Sequence, residues 1–325
     1  MSNQKYSLML HKATAAAGMV QIHSPYDRSV IAEVETANAE HIDQALKVAY
    51  SLYRDRDKWI PLYKRIEILE KTAQIMTQQQ EYLAIEAARE GGKPLIDSKV
   101  EVSRAIDGIH LCIETLKTHQ GDVIPMGMSA SSVNRIAFTQ KEPIGVVVAV
   151  SAFNHPLNLI VHQVAAAVAA GCPVIVKPAA DTPLSCFHFV NILWQAGLPT
   201  EWCQACVPES IEVAEKLVTD KRLGFFSFIG SSKVGWMLRT KLAPGVRCAL
   251  EHGGAAPVIV AEDTDLDNVV LKLGKGGFYH AGQVCVSVQR IFAHKNVFSS
   301  LLEGLSQYAS KQRIGDPTSA DTDVG

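Results

Sequence analysis

Residues 144–179 read IGVVVAVSAFNHPLNLIVHQVAAAVAAGCPVIVKPA. An apolar run rich in β-branched residues, Ile144–Val150, gives way to the polar turn Ser151-Ala152-Phe153-Asn154. A helix-length apolar segment, Leu157–Ala170, follows, and then a second short run, Val174–Lys177. Neither run alternates with polar residues, and a helical crossover joins them, which is the pattern of parallel strands buried on both faces. Downstream the rhythm persists. Pro183–Ala196 predicts a helix, Leu223–Ile229 a strand, and residues from about Ser232 to Leu242 a helix. A second cycle places a strand at Val258–Ala261, a helix at Leu266–Phe278, a strand at Arg290–Ala293 and a helix at Val297–Lys311. The class is α/β, a doubly covered parallel sheet followed by a partial second α/β unit.

The first third reads as helical. Asn38 is positioned as an N-cap ahead of Ile42, Ala45, Leu46, Ala49 and Leu52 at helical spacing. Further helical patterns cover Leu62–Thr77, Glu81–Arg89, stopped by Gly91-Gly92, and Leu95–Thr118. A polar segment with Gly121, Pro125 and Gly127 then leads into an alternating stretch, Val133–Phe138, which predicts a half-exposed strand or hairpin.

Composition narrows the function. The 325 residues, 47% of them hydrophobic, suffice for a sizeable core, and 31 Lys and Arg against 33 Asp and Glu give no basic excess for a nucleic-acid backbone. The longest apolar stretch, 159–176, is broken by His162, Gln163, Gly171 and Pro173, so no membrane span is expected. No signal peptide is read at the start, where His11 and Lys12 interrupt a short apolar stretch. Seven cysteines suit free thiols in a reducing compartment, and a cytoplasmic location is expected.

In an open parallel sheet, ligands bind beyond the carboxyl ends of the strands. Those ends carry Ser151–Asn154, Lys177–Ala180, Gly230-Ser231-Ser232 and Glu251-His252-Gly253-Gly254. Two glycine fingerprints fail: Gly274-x-Gly276 meets Tyr279 where a third glycine belongs, and Gly230 to Gly235 is followed by Trp236 where a P-loop has lysine. Cys203 and Cys206 lack a second ligand pair, so zinc is not expected and no metal site is read. Cys285, in the glycine-containing loop AGQVC between a helix and a strand, is the candidate nucleophile. The other six thiols, Cys112, Cys172, Cys186, Cys203, Cys206 and Cys248, are read as inert.

Asn154 in SAFNHPLN, Lys177 in VIVKPA, Gly230–Gly235 in FIGSSKVG, Glu251 in LEHGG and Cys285 in GQVC resemble, in order and spacing, the motifs of the aldehyde dehydrogenase superfamily. The resemblance runs from about residue 25 to the closing IGDP…TDVG, and its flavour is that of the lactaldehyde and non-phosphorylating glyceraldehyde-phosphate members. It implies a Rossmann-like cofactor domain (1–120 and 143–250), a bridging, oligomerising hairpin (121–142) and a catalytic domain from 251, incomplete at its C-terminus. The family's later Glu-Ile-Phe-Gly-Pro motif and oligomerising sheet are not in the sequence, so a C-terminally truncated chain is expected. The unpaired edge at Val133–Phe138 would then favour non-native association.

The same resemblance implies the chemistry. Cys285 would add to an aldehyde carbonyl, the Asn154 amide and the Cys285 N–H would hold the oxyanion, and Glu251 would activate water against the resulting thioester. NAD or NADP would lie along Ser151, Ala152, Phe153, Lys177, Ala180, Gly230, Ser231, Gly235 and Gly253, with pyrophosphate at a helix N-terminus. NAD-preferring relatives often carry a carboxylate where Ala180 stands, which leaves room for the 2′-phosphate of NADP unless Asp181 takes over. Arg104 and His162 align with substrate positions and imply a small polar or anionic aldehyde, although Arg104 also suits a surface pair with Glu101 or Asp107. His252 departs from the family's usual leucine and is expected to face away from Glu251. A homo-oligomer, dimer or tetramer, is the implied assembly. The alternatives are an inactive nucleotide-binding fragment and a CoA-acylating enzyme, against which Glu251 argues.

Overall fold

The quoted stretch forms the centre of the molecule. Every residue of the strand Val146–Val150 is buried, and its side chains alternate between two cores. Val147 and Ala149 pack into one, with the helices that follow, and Val146, Val148 and Val150 into the other. Each fully buried valine contributes about 1.5–3 kcal/mol, so a continuous Val run is what a sheet covered on both faces selects. The structure, a computed structural model, describes residues 4–13, 15–118 and 121–325.

The chain starts with β1 (Gln4–Tyr6), β2 (Gly18–His23) and β3 (Val30–Ala37), then α1 (Ala39–Arg54), α2 (Leu62–Gln78), α3 (Gln80–Gly91) and α4 (Leu95–Thr118). A small antiparallel pair, β4 (Val123–Ile124) and β5 (Ala137–Phe138), precedes the central unit. That unit comprises β6 (Val146–Val150), α5 (Asn158–Ala169), β7 (Val174–Lys177), α6 (Leu184–Gln195), β8 (Cys203–Ala205), β9 (Val207–Pro208), α7 (Ile211–Thr219), β10 (Leu223–Ile229), α8 (Ser232–Thr240) and β11 (Arg247–Glu251). The last segment has β12 (Val258–Val260), α9 (Leu266–Phe278), β13 (Ile291–Ala293) and α10 (Phe298–Ser310).

The central sheet has the order β11-β10-β6-β7-β8, and every neighbouring pair is parallel. The last segment has its own small core of Val260, Leu273, Val297 and Leu301, with β12 and β13 parallel. The glycines of the failed fingerprint serve packing: a Cβ on Gly274 would meet the Tyr308 ring at 2.4 Å, and one on Gly276 would meet Val288 at 2.9 Å.

Two readings need correction. The first third is not wholly helical, because β1, β2 and β9 all pair with β3 in a second sheet before and beside α1. The predicted strand Val133–Phe138 shrinks to Ala137–Phe138, paired with Val123–Ile124; Val133 and Ile136 are exposed, and Asn134 has φ 64°, which breaks an extended run. The Asn38 cap is present as read, its side chain accepting from Glu40 and His41 N–H. Gly92 ends α3 at φ 70°, against the ring of Pro25.

Candidate active site

Strand register sets the row of candidate residues. Glu251 pairs with Ile229, Phe228 with Val150, and Val150 with Lys177, so the segments after β11, β10, β6 and β7 emerge side by side at one edge. The ladder extends one step past the strands: Gly230 N–H donates to Glu251 C=O at 3.0 Å, and Ser151 N–H to Lys177 C=O at 3.1 Å. Lys177 is half-buried, and among the described residues its ammonium donates only to the carbonyl of Pro178, at 3.0 Å. Burial lowers its proton affinity, and the nearby Cys206 and Asp181 act in the opposite direction. Ala180 and Asp181 are exposed beside it, and Phe153 is exposed above the β6 turn. Ala152 is half-buried, while Ser151 is buried with its hydroxyl unpartnered.

Ser231 caps α8, accepting from Val234 N–H at 3.4 Å. Gly235 is required for packing, because a Cβ there would meet the His252 ring at 2.4 Å. His252 accordingly turns toward that helix, its Nδ1 3.3 Å from Gly230 C=O and its ring beside Phe228 and Trp236. It does not join the row. Gly253 is exposed, with open space where a Cβ would stand.

The nucleophile candidate meets this row. Asn154 donates one amide N–H to Gln283 C=O at 2.8 Å, and a Cβ on Gly254 would lie 2.8 Å from the carbonyl oxygen of Cys285. The Cys285 loop therefore touches both the Asn154 turn and the Glu251–Gly254 segment. Asn154 keeps a second amide N–H for another acceptor. Cys285 is exposed, whereas Cys172, Cys186, Cys203 and Cys206 are buried. Burial pushes the Cys206 thiol up to about 12 and Cys203 higher still, as inert thiols require.

Arg104 and His162 come from α4 and α5, which pack against each other. The His162 ring lies against Gly108, one turn beyond Arg104 on α4. Burial lowers the His162 imidazole while the Glu251 carboxylate raises it, which puts His162 within electrostatic reach of Glu251. Arg104 is exposed. Glu101 is not its partner: that carboxylate is turned inward onto Lys93 and onto the N–H groups of Leu157 and Asn158, at 2.9 and 2.8 Å.

A buried polar cluster beneath the site was not legible in the sequence. Lys93 and Glu101 form an ion pair, Asp97 accepts from His280 N–H at 2.8 Å, and the His155 and His280 rings stack at 4.0 Å. Its one sequence signal is Lys93-Pro94 after the Gly91-Gly92 stop, a lysine at a helix junction with no stated partner. A cavity of about 590 Å³ lined by Tyr50, Tyr53, Lys141 and Arg247 lies at the opposite, amino-terminal end of the strands, away from this chemistry. Among the described residues, no helix is long and apolar enough to cross a membrane.

The family model described as "Aldehyde dehydrogenase family" matches residues 12–325. The chain belongs to the aldehyde dehydrogenase family. It is 33% identical over 310 residues to a 3-sulfolactaldehyde dehydrogenase of Priestia aryabhattai, covering 95% of this chain and 64% of that one. An aldehyde dehydrogenase of Physcomitrella patens, solved with the reaction product succinate, superposes with a TM-score of 0.93 at 33% identity, over 100% of this chain and 68% of that one. A glyceraldehyde-3-phosphate dehydrogenase of Methanocaldococcus jannaschii, solved with NADP, gives a TM-score of 0.88 at 32% identity, over 97% and 67%. The chain thus spans about 64% of the length of the first of these relatives.

Proposed function

We propose that the chain carries the cofactor-binding domain and the nucleophile of an NAD- or NADP-dependent aldehyde dehydrogenase, which oxidises a small polar or anionic aldehyde to its carboxylic acid. The carrying observation is the convergence of three segments: the Asn154 amide on the loop of Cys285, and Gly254, three residues after Glu251, against the Cys285 carbonyl. The row of residues fits a dinucleotide. A nine-residue helix presents its N-terminus at Ser231, Gly253 leaves the backbone open, and among the described residues Lys177 makes a single hydrogen bond and the Ser151 hydroxyl none.

Cys285 gives its thiol proton to solvent, the Sγ thiolate adds to the carbonyl carbon, and the resulting oxyanion accepts from the second N–H of Asn154 and from the Cys285 N–H. NAD or NADP, when bound, supplies the hydride acceptor that leaves a thioester on the cysteine. Glu251 takes a proton from water, whose oxygen attacks the thioester; the acid departs and the thiol is regenerated. Arg104 and His162 stand where an anionic tail would be bound, and the relatives named for sulfolactaldehyde and glyceraldehyde-3-phosphate support that class. The β4–β5 hairpin, with Val123, Ile136 and Phe138 exposed, is the surface through which a homo-oligomer would form.

The test is NAD(P)H formation with a panel of small anionic aldehydes in the absence of CoA. Cys285→Ala is expected to lose roughly 10³-fold or more of turnover, since the covalent route disappears. Turnover that survives Cys285→Ala, or that requires CoA, overturns the reading.

A further inference from the structure

The stacked imidazoles take no part in the steps above. His155 follows Asn154 directly, and His280 lies five residues before Cys285; the two come from segments 125 positions apart and stack at 4.0 Å with 30° between their planes. His280 is 1% exposed, and neither of its ring nitrogens, nor His155 Nδ1, has a hydrogen-bond partner among the described residues. Ring-on-ring contact, and not hydrogen bonding, holds these side chains together. Burial lowers His155 to about 3 and His280 to about 2, and the Lys93 ammonium acts in the same direction on both, so the pair is uncharged near neutral pH.

The two halves of the stack differ in backbone. The His155 side is anchored, because Glu101 accepts from the first N–H groups of α5 and is itself paired with Lys93. The His280 side is strained: His280 and Ala281 have φ 60° and 53°, a region that side chains disfavour. Bonds from His280 N–H to Asp97, from Gln283 N–H to His280 C=O and from the Asn154 amide to Gln283 C=O restrain the loop around these strained residues. The donor atoms of Glu101, His155 and His280 lie within 4.8 Å of one another, as a metal would require. However, both Glu101 oxygens are already occupied, one by an ammonium, which leaves no place for a cation.

We propose that His155 and His280 are positioning residues, whose stacked rings hold the strained loop of Cys285 against the turn of Asn154 and so fix the thiol relative to its oxyanion donor. The inference rests on the aldehyde dehydrogenase reading for its kinetic readout alone.

The test is a mutant cycle with two readouts. His155→Ala, His280→Ala and the double variant are each expected to lower kcat by roughly tenfold to a hundredfold, with KM for NAD(P) within about twofold, because a misplaced reactive pair loses rate and not cofactor binding. The double variant loses no more than either single one, as expected for one shared contact. His155→Phe, which keeps a ring, retains kcat. Amide exchange over residues 279–287 rises in His155→Ala and returns to the wild-type rate in His155→Phe, a readout that needs no turnover. Additive losses, or unchanged exchange in that loop, overturn the proposal. Should His155→Ala fail to fold, a kcat loss in His155→Phe overturns it and wild-type-like kcat supports it. A wild-type chain inert toward every aldehyde, but with the exchange coupling intact, overturns the enzymatic reading and leaves the positioning inference standing.

Discussion

The amino-termini of α5 and α6 and that of α8 point to the same end of the central sheet, yet their free N–H groups are treated in opposite ways. Neither α5 nor α6 has a side-chain cap of its own. Glu101 of α4 accepts from Leu157 and Asn158, and Glu90 of α3 accepts from Leu184 and Ser185, both at 2.8 Å, so each helix start is closed by a buried carboxylate from an earlier helix. At α8 a local serine makes one long bond and the rest of the mouth faces outward. A helix N-terminus favours an anion whatever its source. Two of the three receive it from the protein and serve as structure, whereas the third stays open, as the cofactor site proposed above requires.

The comparison breaks most visibly at Glu101. Glu101→Gln keeps an acceptor for the α5 N–H groups but takes its paired carboxylate from the Lys93 ammonium, 1% exposed, leaving only the more distant charges of Glu90 and Asp97. Breaking one side of a buried pair typically costs ~3–5 kcal/mol, while removing both charges is far milder. Urea unfolding should therefore find Glu101→Gln destabilised by about that amount and Lys93→Met/Glu101→Gln recovering much of the loss. Equal stability of the two variants would mean that capping, and not charge pairing, is what Glu101 contributes.

This difference between helices also marks where sequence reading succeeds. The central strands, α4, α9 and the strand-end turns at Asn154, Lys177, Gly230 and Glu251 are legible because each depends on local pattern, a Val run or a turn at a strand end, whereas their roles and that of Cys285 rest on the motif resemblance. The remote caps were not. Glu90 and Glu101 look like ordinary helix-surface carboxylates, and their partners lie 94 and 56 positions further along the chain. β3, IAEVETA with its N-terminal Val30, pairs locally with β2, but its other partners β1 and β9 are very short and β9 follows 170 residues later, so most of its sheet leaves no mark in the local sequence. The pairing of His155 with His280 is silent in the sequence for the same reason: a stack between distant segments leaves no periodicity in either.

Glu90 gives a smaller, pH-dependent effect. Burial raises its carboxyl from 4.5 to about 7, even though it accepts from Ser185 and Leu184. In the unfolded chain the group ionises first, so between pH ~4.5 and ~7 the unfolded state binds fewer protons and the wild-type protein loses stability as pH rises. At ~1.4 kcal/mol per unit, the loss over that window is on the order of 3 kcal/mol, and it levels off above pH ~7. Glu90→Gln lacks the titration. Denaturant midpoints at pH 5, 6 and 7 should therefore show the wild type falling relative to Glu90→Gln; parallel curves would assign Glu90 an ordinary proton affinity.

The smallest effect converts the open helix into the closed kind. Ser231→Asp keeps a good N-cap, since aspartate and serine are comparable at that position, and adds a charge that the helix dipole favours by ~0.3–1 kcal/mol. Thermal stability should hold or rise slightly. Affinity for NADP should move the other way, by roughly tenfold at low salt, because the new carboxylate occupies the field that a pyrophosphate would use and repels it. Opposite signs in the two measurements would identify the α8 mouth as the one helix start reserved for a ligand's anion. A carboxylate tolerated there with unchanged NADP binding would place the pyrophosphate elsewhere and reduce the contrast among the three helices to a matter of packing.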